Sequence, residues 1–186
     1  MEVLVALAAA VSAKIKDNTN MVIDNRSLAS SIPGGYNASY ELLLLVFMQA
    51  MLSGTRLSTM SLGYGNNTAP RQELDRMAQD VAEGKGDARV VAKLQRRQAA
   101  HYNCIEGMGI FCASVVAGNT AGLEAWYMNM IVCLYVLLRV IYVVLYTTTT
   151  NSKWSILRSG TWIMCNACWI VTVFRAGHLF NENRRR

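Results

Sequence analysis

The chain has 186 residues, is 53% hydrophobic and carries only 16% charged residues, where an average soluble domain carries about 25%. Its net charge of +6 is divided between one long hydrophilic segment and the terminal Arg184, Arg185 and Arg186. That distribution argues against a nucleic-acid surface and fits positive loops beside anionic lipid, and two His without clustered ligands argue against a structural zinc site.

Residues 2–13 form an apolar stretch too short to cross a bilayer, with no positive leader before it. They fit an interfacial or extra packing helix. Residues 14–38, with Pro33-Gly34-Gly35, read as a linker, so 1–38 is an N-terminal extension. The remainder predicts an all-α membrane domain over 39–180 and a basic tail at 181–186. Its four spans fall at about 40–62, 95–119, 123–146 and 155–177. Spans two and three are joined so tightly that they must form an antiparallel hairpin. No span is expected to be broken, which leaves little of the usual transporter signature.

The segment 63–97 carries Arg71, Arg76, Lys85, Arg89, Lys93, Arg96 and Arg97, and the loop between spans three and four adds Lys153 and Arg158. Both lie on one side, which the positive-inside rule makes cytosolic, although the terminal arginines oppose it. Asn25-Arg-Ser27 and Asn37-Ala-Ser39 then become lumenal sequons. All five cysteines fall in apolar runs. Cys165-Asn-Ala-Cys168 has redox-pair spacing but no thioredoxin-like strand context, and reads as packing.

Charge inside the spans is the feature that points to chemistry. Arg56, Glu106 and Arg139 each interrupt an apolar run, and such residues face a protein interior or a wet cleft. In span two, helical spacing puts Arg96, Ala99, Asn103, Glu106 and Ile110 on one stripe and Arg97, His101 and Cys104 opposite. Glu106 needs a cationic partner, and Arg139 or Arg56 on an adjoining helix is the natural one. Such a pair fixes helix register or lines a site. In span three Tyr135, Arg139, Tyr142 and Tyr146 share a face, a cradle for a carboxylate or peptide-like ligand, with Tyr146 also suited to an interfacial belt. Arg158-Ser159 opens span four, where a cation and a hydroxyl can hold a thiol as thiolate, or serve as an interfacial arginine and a helix cap.

Arg97-Gln-Ala-Ala-His-Tyr-Asn-Cys-Ile-Glu106-Gly-Met-Gly-Ile-Phe resembles the second-helix signature of the MAPEG family, the membrane-associated proteins in eicosanoid and glutathione metabolism. Leu138-Arg-Val-Ile-Tyr-Val-Val-Leu-Tyr146 and Leu157-Arg-Ser159 match its third and fourth helices, and Ser53-Gly-Thr-Arg56-Leu the end of its first. The resemblance covers about 40–177, in order, and the Ala-Ala-His-x-Asn form is nearest to fungal and bacterial members. It implies a four-helix bundle in the endoplasmic reticulum membrane, assembled as a homotrimer with glutathione between subunits. By position, Arg56, Asn103, Glu106, Arg139, Tyr142 and Tyr146 would contact glutathione, and Arg158, with Ser159 beside it, would polarise its thiol. The implied chemistry is transfer of the thiol to a lipophilic electrophile, peroxide reduction, or isomerisation of an oxygenated lipid.

Two positions depart from the pattern. Glutathione-using members carry an arginine four residues before the helix-two asparagine, where this chain has Ala99, and often one immediately before it, where this chain has Tyr102. Arg96, on the same stripe, is the candidate replacement. The departures motivate an alternative, a glutathione-independent isomerase or cyclase of a lipophilic biosynthetic intermediate. In it Glu106, Tyr142, Tyr146 or Arg158 supplies acid–base or electrostatic catalysis. A third reading, a non-enzymatic scaffold, predicts loss of the span-three tyrosines and of Arg158, and this chain retains them.

Overall fold

A computed structural model describes residues 35–151 and 155–185. The apolar stretch at 2–13, most of the linker, Asn25, Lys153 and Arg186 lie outside them. The described residues form helices and no strands: α1 (Ser39–Leu52), α2 (Arg56–Ser61), α3 (Glu73–Ala82, entered by a 3-10 turn at Pro70–Gln72), α4 (Ala88–Ala121), α5 (Ala125–Thr148) and α6 (Ser155–Arg185). Four segments are long and apolar enough to cross a membrane: Ser39–Ser61, α4, α5 and α6.

α4, α5 and α6 pack against one another, α1 leans on α5 and α4, and α3 lies on α4. Lipid tails are as apolar as leucine, so contact shape rather than water exclusion holds such helices together. Small residues permit it. Ala50, Ala100 and Ser114 are fully buried, and a Cβ on Gly118 would lie 2.8 Å from the sulfur of Met128. In the core Phe111 stacks on Tyr135 at 3.7 Å between ring centres. The α4–α5 hairpin turns at Gly122, whose φ of +84° closes α4 by Leu123 N–H to Gly118 O (3.0 Å) and Gly122 N–H to Asn119 O (3.1 Å).

Two elements run beyond their expected ends. At 1.5 Å per residue α4 is about 50 Å long, well over a hydrocarbon core of about 30 Å. Its first turns project past the bilayer and carry Val91 and Leu94, against which α3 packs Met77 and Leu74. α6 continues helically to Arg185 through the expected basic tail. No glycine or proline follows Gly177 to stop it, and His178–Glu182 (3.6 Å) and Arg184 over Phe180 (5.8 Å) support its last turns at i, i+4 spacing.

The expected unbroken first span is interrupted. α1 ends at Leu52 and the chain re-enters a helix only at Arg56. A break at membrane depth leaves carbonyls without partners, and it persists only where the protein satisfies them. α4 does so. Arg97 donates to Leu52 O (2.8 Å), Ser53 O (3.1 Å) and Ser58 Oγ (3.3 Å). His101 Nδ1 lies 2.8 Å from Ala50 O, and because a carbonyl only accepts, Nδ1 carries the proton. Thr55 and Gln98 close the same seam by a hydrogen bond.

At the opposite end Asn37 Nδ2 donates to Asn119 Oδ1 (2.8 Å) and Asn119 Nδ2 to Ser39 Oγ (2.8 Å). The nitrogen that a glycan would need is therefore engaged, and Ser39 is fully buried.

Arg97→Ala strips the carbonyls of Leu52 and Ser53 of their side-chain donor. Thermal unfolding in detergent should register a loss of about 1–3 kcal/mol; an unchanged midpoint would show that the break caps itself.

Candidate functional site

The loop-side end of the bundle holds two polar cavities with opposite character. The first is an open groove of about 570 Å³ lined by Asn103, Glu106, Tyr142, Tyr146, Arg158, Ser159, Trp162 and Ile163. Asn103 and Glu106, three apart on α4, face it together. Tyr142 and Tyr146, four apart on α5, meet edge to face at 5.5 Å. Arg158, in the first turn of α6, lays its guanidinium carbon 4.3 Å from the Tyr146 ring centre. That contact fixes a long side chain without using its N–H groups.

Hydrogen bonding sets this groove apart. The side chains of Asn103, Glu106 and Arg158 and the hydroxyls of Tyr142 and Tyr146 make no hydrogen bond to any described residue. Ser159 reaches only Ser155 O, at 3.5 Å. Unmatched polar groups are costly in a membrane-spanning bundle, and this converging set, from the exposed Glu106 to the buried Tyr142, makes the groove the candidate site.

Beneath the groove sits Arg139, 2% exposed. Its Nε donates to Tyr135 Oη (2.9 Å) and its Nη1 to Asn103 O (3.3 Å), and its guanidinium carbon lies 5.9 Å from the Tyr142 ring centre. Arg139 therefore props up Asn103 and Tyr142 from behind and does not line the groove. Gly107 makes the room: a Cβ there would fall 1.9 Å from Arg139 Nη2.

The second cavity, about 460 Å³, lies on the far side of α4, between the break in the first span and α3. Arg56, Arg71, Glu73, Gln98, His101 and Tyr102 are among its walls. The expected pairing of Glu106 with Arg139 or Arg56 does not form within the chain. Arg56 pairs with Glu73 and reaches Asn67 Oδ1 (2.5 Å) and Asn66 O (3.3 Å). Arg139 takes neutral partners because Asn103 O and Gly107, not Glu106, form the α4 surface against it. Glu73 is 2% exposed and also accepts from Thr59 Oγ1 (2.5 Å) and Asn66 N–H (2.7 Å). Burial works against its charge, but Thr59, the Asn66 amide and Arg56 prevail and hold its carboxyl below the usual carboxylate range.

Arg96, the candidate replacement for the missing arginines, donates to Thr147 O (3.3 Å) and caps the end of α5. The groove thus gathers Asn103, Glu106, Tyr142, Tyr146, Arg158 and Ser159, while Arg56 and Arg96 lie elsewhere. Trp162 and Ile163, its apolar wall, and Gly107 were not singled out in the sequence, although i+4 from Arg158 leads directly to Trp162. Glu73 gave no signal, being one acid in a mixed-charge helix. All five cysteines are free thiols, so Cys165 and Cys168 form no disulfide, and no metal-binding cluster occurs among the described residues.

Four helical segments long and apolar enough to cross a membrane, with a polar groove among them, define an integral membrane protein. The profile of the MAPEG family matches residues 38–178, and the chain belongs to that family. No curated protein and no solved structure matches it.

Two measurements probe the site. Gly107→Ala gains about 1 kcal/mol of helix propensity but displaces a buried guanidinium from two hydrogen bonds worth about 1.5–3 kcal/mol each, a net loss of about 2 kcal/mol or more in detergent unfolding. Glu73, with its carboxyl depressed in the folded state, stabilises the α3 contact fully above the unfolded value of about 4.3 and loses that contribution as pH falls through the lower folded value. Hydrogen exchange in residues 66–82 should therefore rise only in strong acid, and a rise near neutrality would refute the assignment.

Proposed function

We propose that the protein is a membrane enzyme that joins, or passes electrons between, glutathione and a lipophilic substrate in the Asn103–Arg158 groove. The observation that carries this reading is the unmatched set of polar side chains there, in a family of glutathione and eicosanoid metabolism. The set suits glutathione. Glu106 can take its ammonium or amide N–H groups, Asn103 either a donor or an acceptor, and Arg158 an anionic sulfur. Membership of the family supports a homotrimer, with the groove closed by a neighbouring subunit, and residence in the endoplasmic reticulum.

When bound, glutathione supplies a thiol whose ionised form is the nucleophile or reductant. Arg158, held by the Tyr146 ring at 4.3 Å, lowers the cost of negative charge beside it. The Tyr142 and Tyr146 hydroxyls, unengaged within the chain, can give a proton to the oxygen or carbon that gains electrons from the attack. Ser159 stands next to Arg158 at the mouth. Trp162 and Ile163 form an apolar wall along which a lipophilic substrate enters from the bilayer.

A specific observation favours the glutathione-independent isomerase or cyclase as the second reading. Ala99 and Tyr102 replace arginines of the pattern, and Arg96 is engaged with Thr147 O. The same groove then offers Glu106 as base or acid and Arg158 as the stabiliser of a developing oxyanion.

Millimolar glutathione should raise the melting temperature in detergent and develop thiolate absorbance in the ultraviolet. Arg158→Ala should abolish the absorbance and lower turnover about a hundredfold or more. No binding, together with thiol-free conversion of a lipophilic intermediate, would select the second reading.

A further inference from the structure

The hairpin end of the bundle carries a cation that no acid answers. Arg175 follows Arg158 on α6, about 25 Å further along at 1.5 Å per residue. No charged residue lies between them. A hydrocarbon core is about 30 Å thick, so with Arg158 near one boundary Arg175 reaches the headgroup level of the other leaflet. Trp126, 62% exposed in the first turn of α5, marks the same level.

An arginine near the end of a span ordinarily extends toward water. This one is folded onto a buried ring: its guanidinium carbon lies 4.0 Å from the ring centre of Tyr127, which is 4% exposed. Tyr127 is itself fixed, because its hydroxyl is hydrogen-bonded to that of Thr172 at 3.1 Å, a contact that joins α5 to α6. Stacking uses the face of the guanidinium and leaves the N–H groups at its edge unspent. They make no hydrogen bond or ion pair with a described residue. The acids of this end do not meet it: Tyr36 donates to Glu41, His178 pairs with Glu182 at 3.6 Å, and Glu124 makes no ion pair with Arg175. Toward the midplane, helical spacing puts Val171 and Met164 on the Arg175 face of α6, and Met130 and Leu134 on the Tyr127 face of α5. All four are exposed, between 37% and 52%.

We propose that Arg175, seated on Tyr127, binds the phosphodiester of a membrane phospholipid, with an acyl chain lying along Met130, Leu134, Met164 and Val171. The guanidinium edge offers parallel N–H donors to two phosphate oxygens, the bidentate fit that a lysine lacks. The apolar lane starts at headgroup level and runs toward the midplane, which is the course of one leaflet's chains. The site sits at the opposite end of α6 from the Asn103–Arg158 groove and stands independently of the chemistry assigned there. Inorganic phosphate presents the same oxygens without the chains, so the chains distinguish the two sources.

The test uses the full chain, delipidated in maltoside detergent, with phenylglyoxal labelling of Arg175 read by peptide mass spectrometry and the exposed Arg89 as internal reference. Dioleoylphosphatidylcholine in mixed micelles carries the phosphodiester without net charge. It should slow labelling of Arg175 several-fold relative to Arg89. Dioleoylglycerol, with the same chains and no phosphate, should leave labelling unchanged. The phospholipid should also raise the melting temperature. Arg175→Gln should abolish that rise, and Arg175→Lys should restore only part of it. Labelling of the unaltered chain decides the matter even should a variant fold poorly. Equal protection by dioleoylglycerol, or none by the phospholipid, overturns the proposal, and protection by inorganic phosphate alone overturns the lipid assignment in favour of a soluble anion.

Discussion

Arg97 lies across a gap in the first span and joins three pieces of chain at once: the end of α1, the start of α2 and the middle of α4. Inside a bilayer no water is at hand to receive the freed carbonyls, so the break and the guanidinium that fills it stand or fall together. Much of the loop-side architecture follows. Past the break, Arg56 opens α2 and pairs with Glu73 of α3. Because Arg97 and His101 hold α1 against α4, the opposite face of α4, with Asn103 and Glu106, is left to α5 and α6.

The two faces of α4 differ in how their polar side chains are partnered. On the first-span face, Arg97, His101 and Gln98 all have partners on the first span. On the other face Asn103 and Glu106 join Tyr142, Tyr146 and Arg158 with their hydrogen-bonding capacity unused. Side-chain identity does not separate these groups, since each face has an arginine and an amide. Only partner geometry does.

The same distinction explains what could be read from the chain. The four spans, the tight hairpin at Gly122 and the stripe of Asn103 and Glu106 follow from hydropathy and a period of 3.6, because they depend on local order alone. The interruption at Ser53-Gly54-Thr55 was less visible, since hydropathy runs through it and one glycine does not oblige a helix to stop. Pairing was not legible. Arg56 and Glu106 look like partners when charges are counted in spans, but Glu73, in a loop helix, is the acid that reaches Arg56. Arg96 shares a stripe with Asn103, yet the end of α5 lies closer and takes it.

Arg139 carries the consequence furthest. It is a cation, 2% exposed, whose hydrogen-bond partners are a phenol and a peptide carbonyl, and the ion pairs among the described residues do not include it. Neutral dipoles stabilise such a charge without cancelling its field, and in a low-dielectric interior that field reaches several ångströms. The groove above it adds Arg158 and sets one carboxylate, Glu106, against the two. The balance is positive before anything binds. An anionic sulfur gains from it, and so does the oxyanion of an isomerising lipid, so the two candidate chemistries make the same electrostatic demand. Gly107 makes room for that charge: a side chain there would force the Arg139 guanidinium to shift, and its field would move with it.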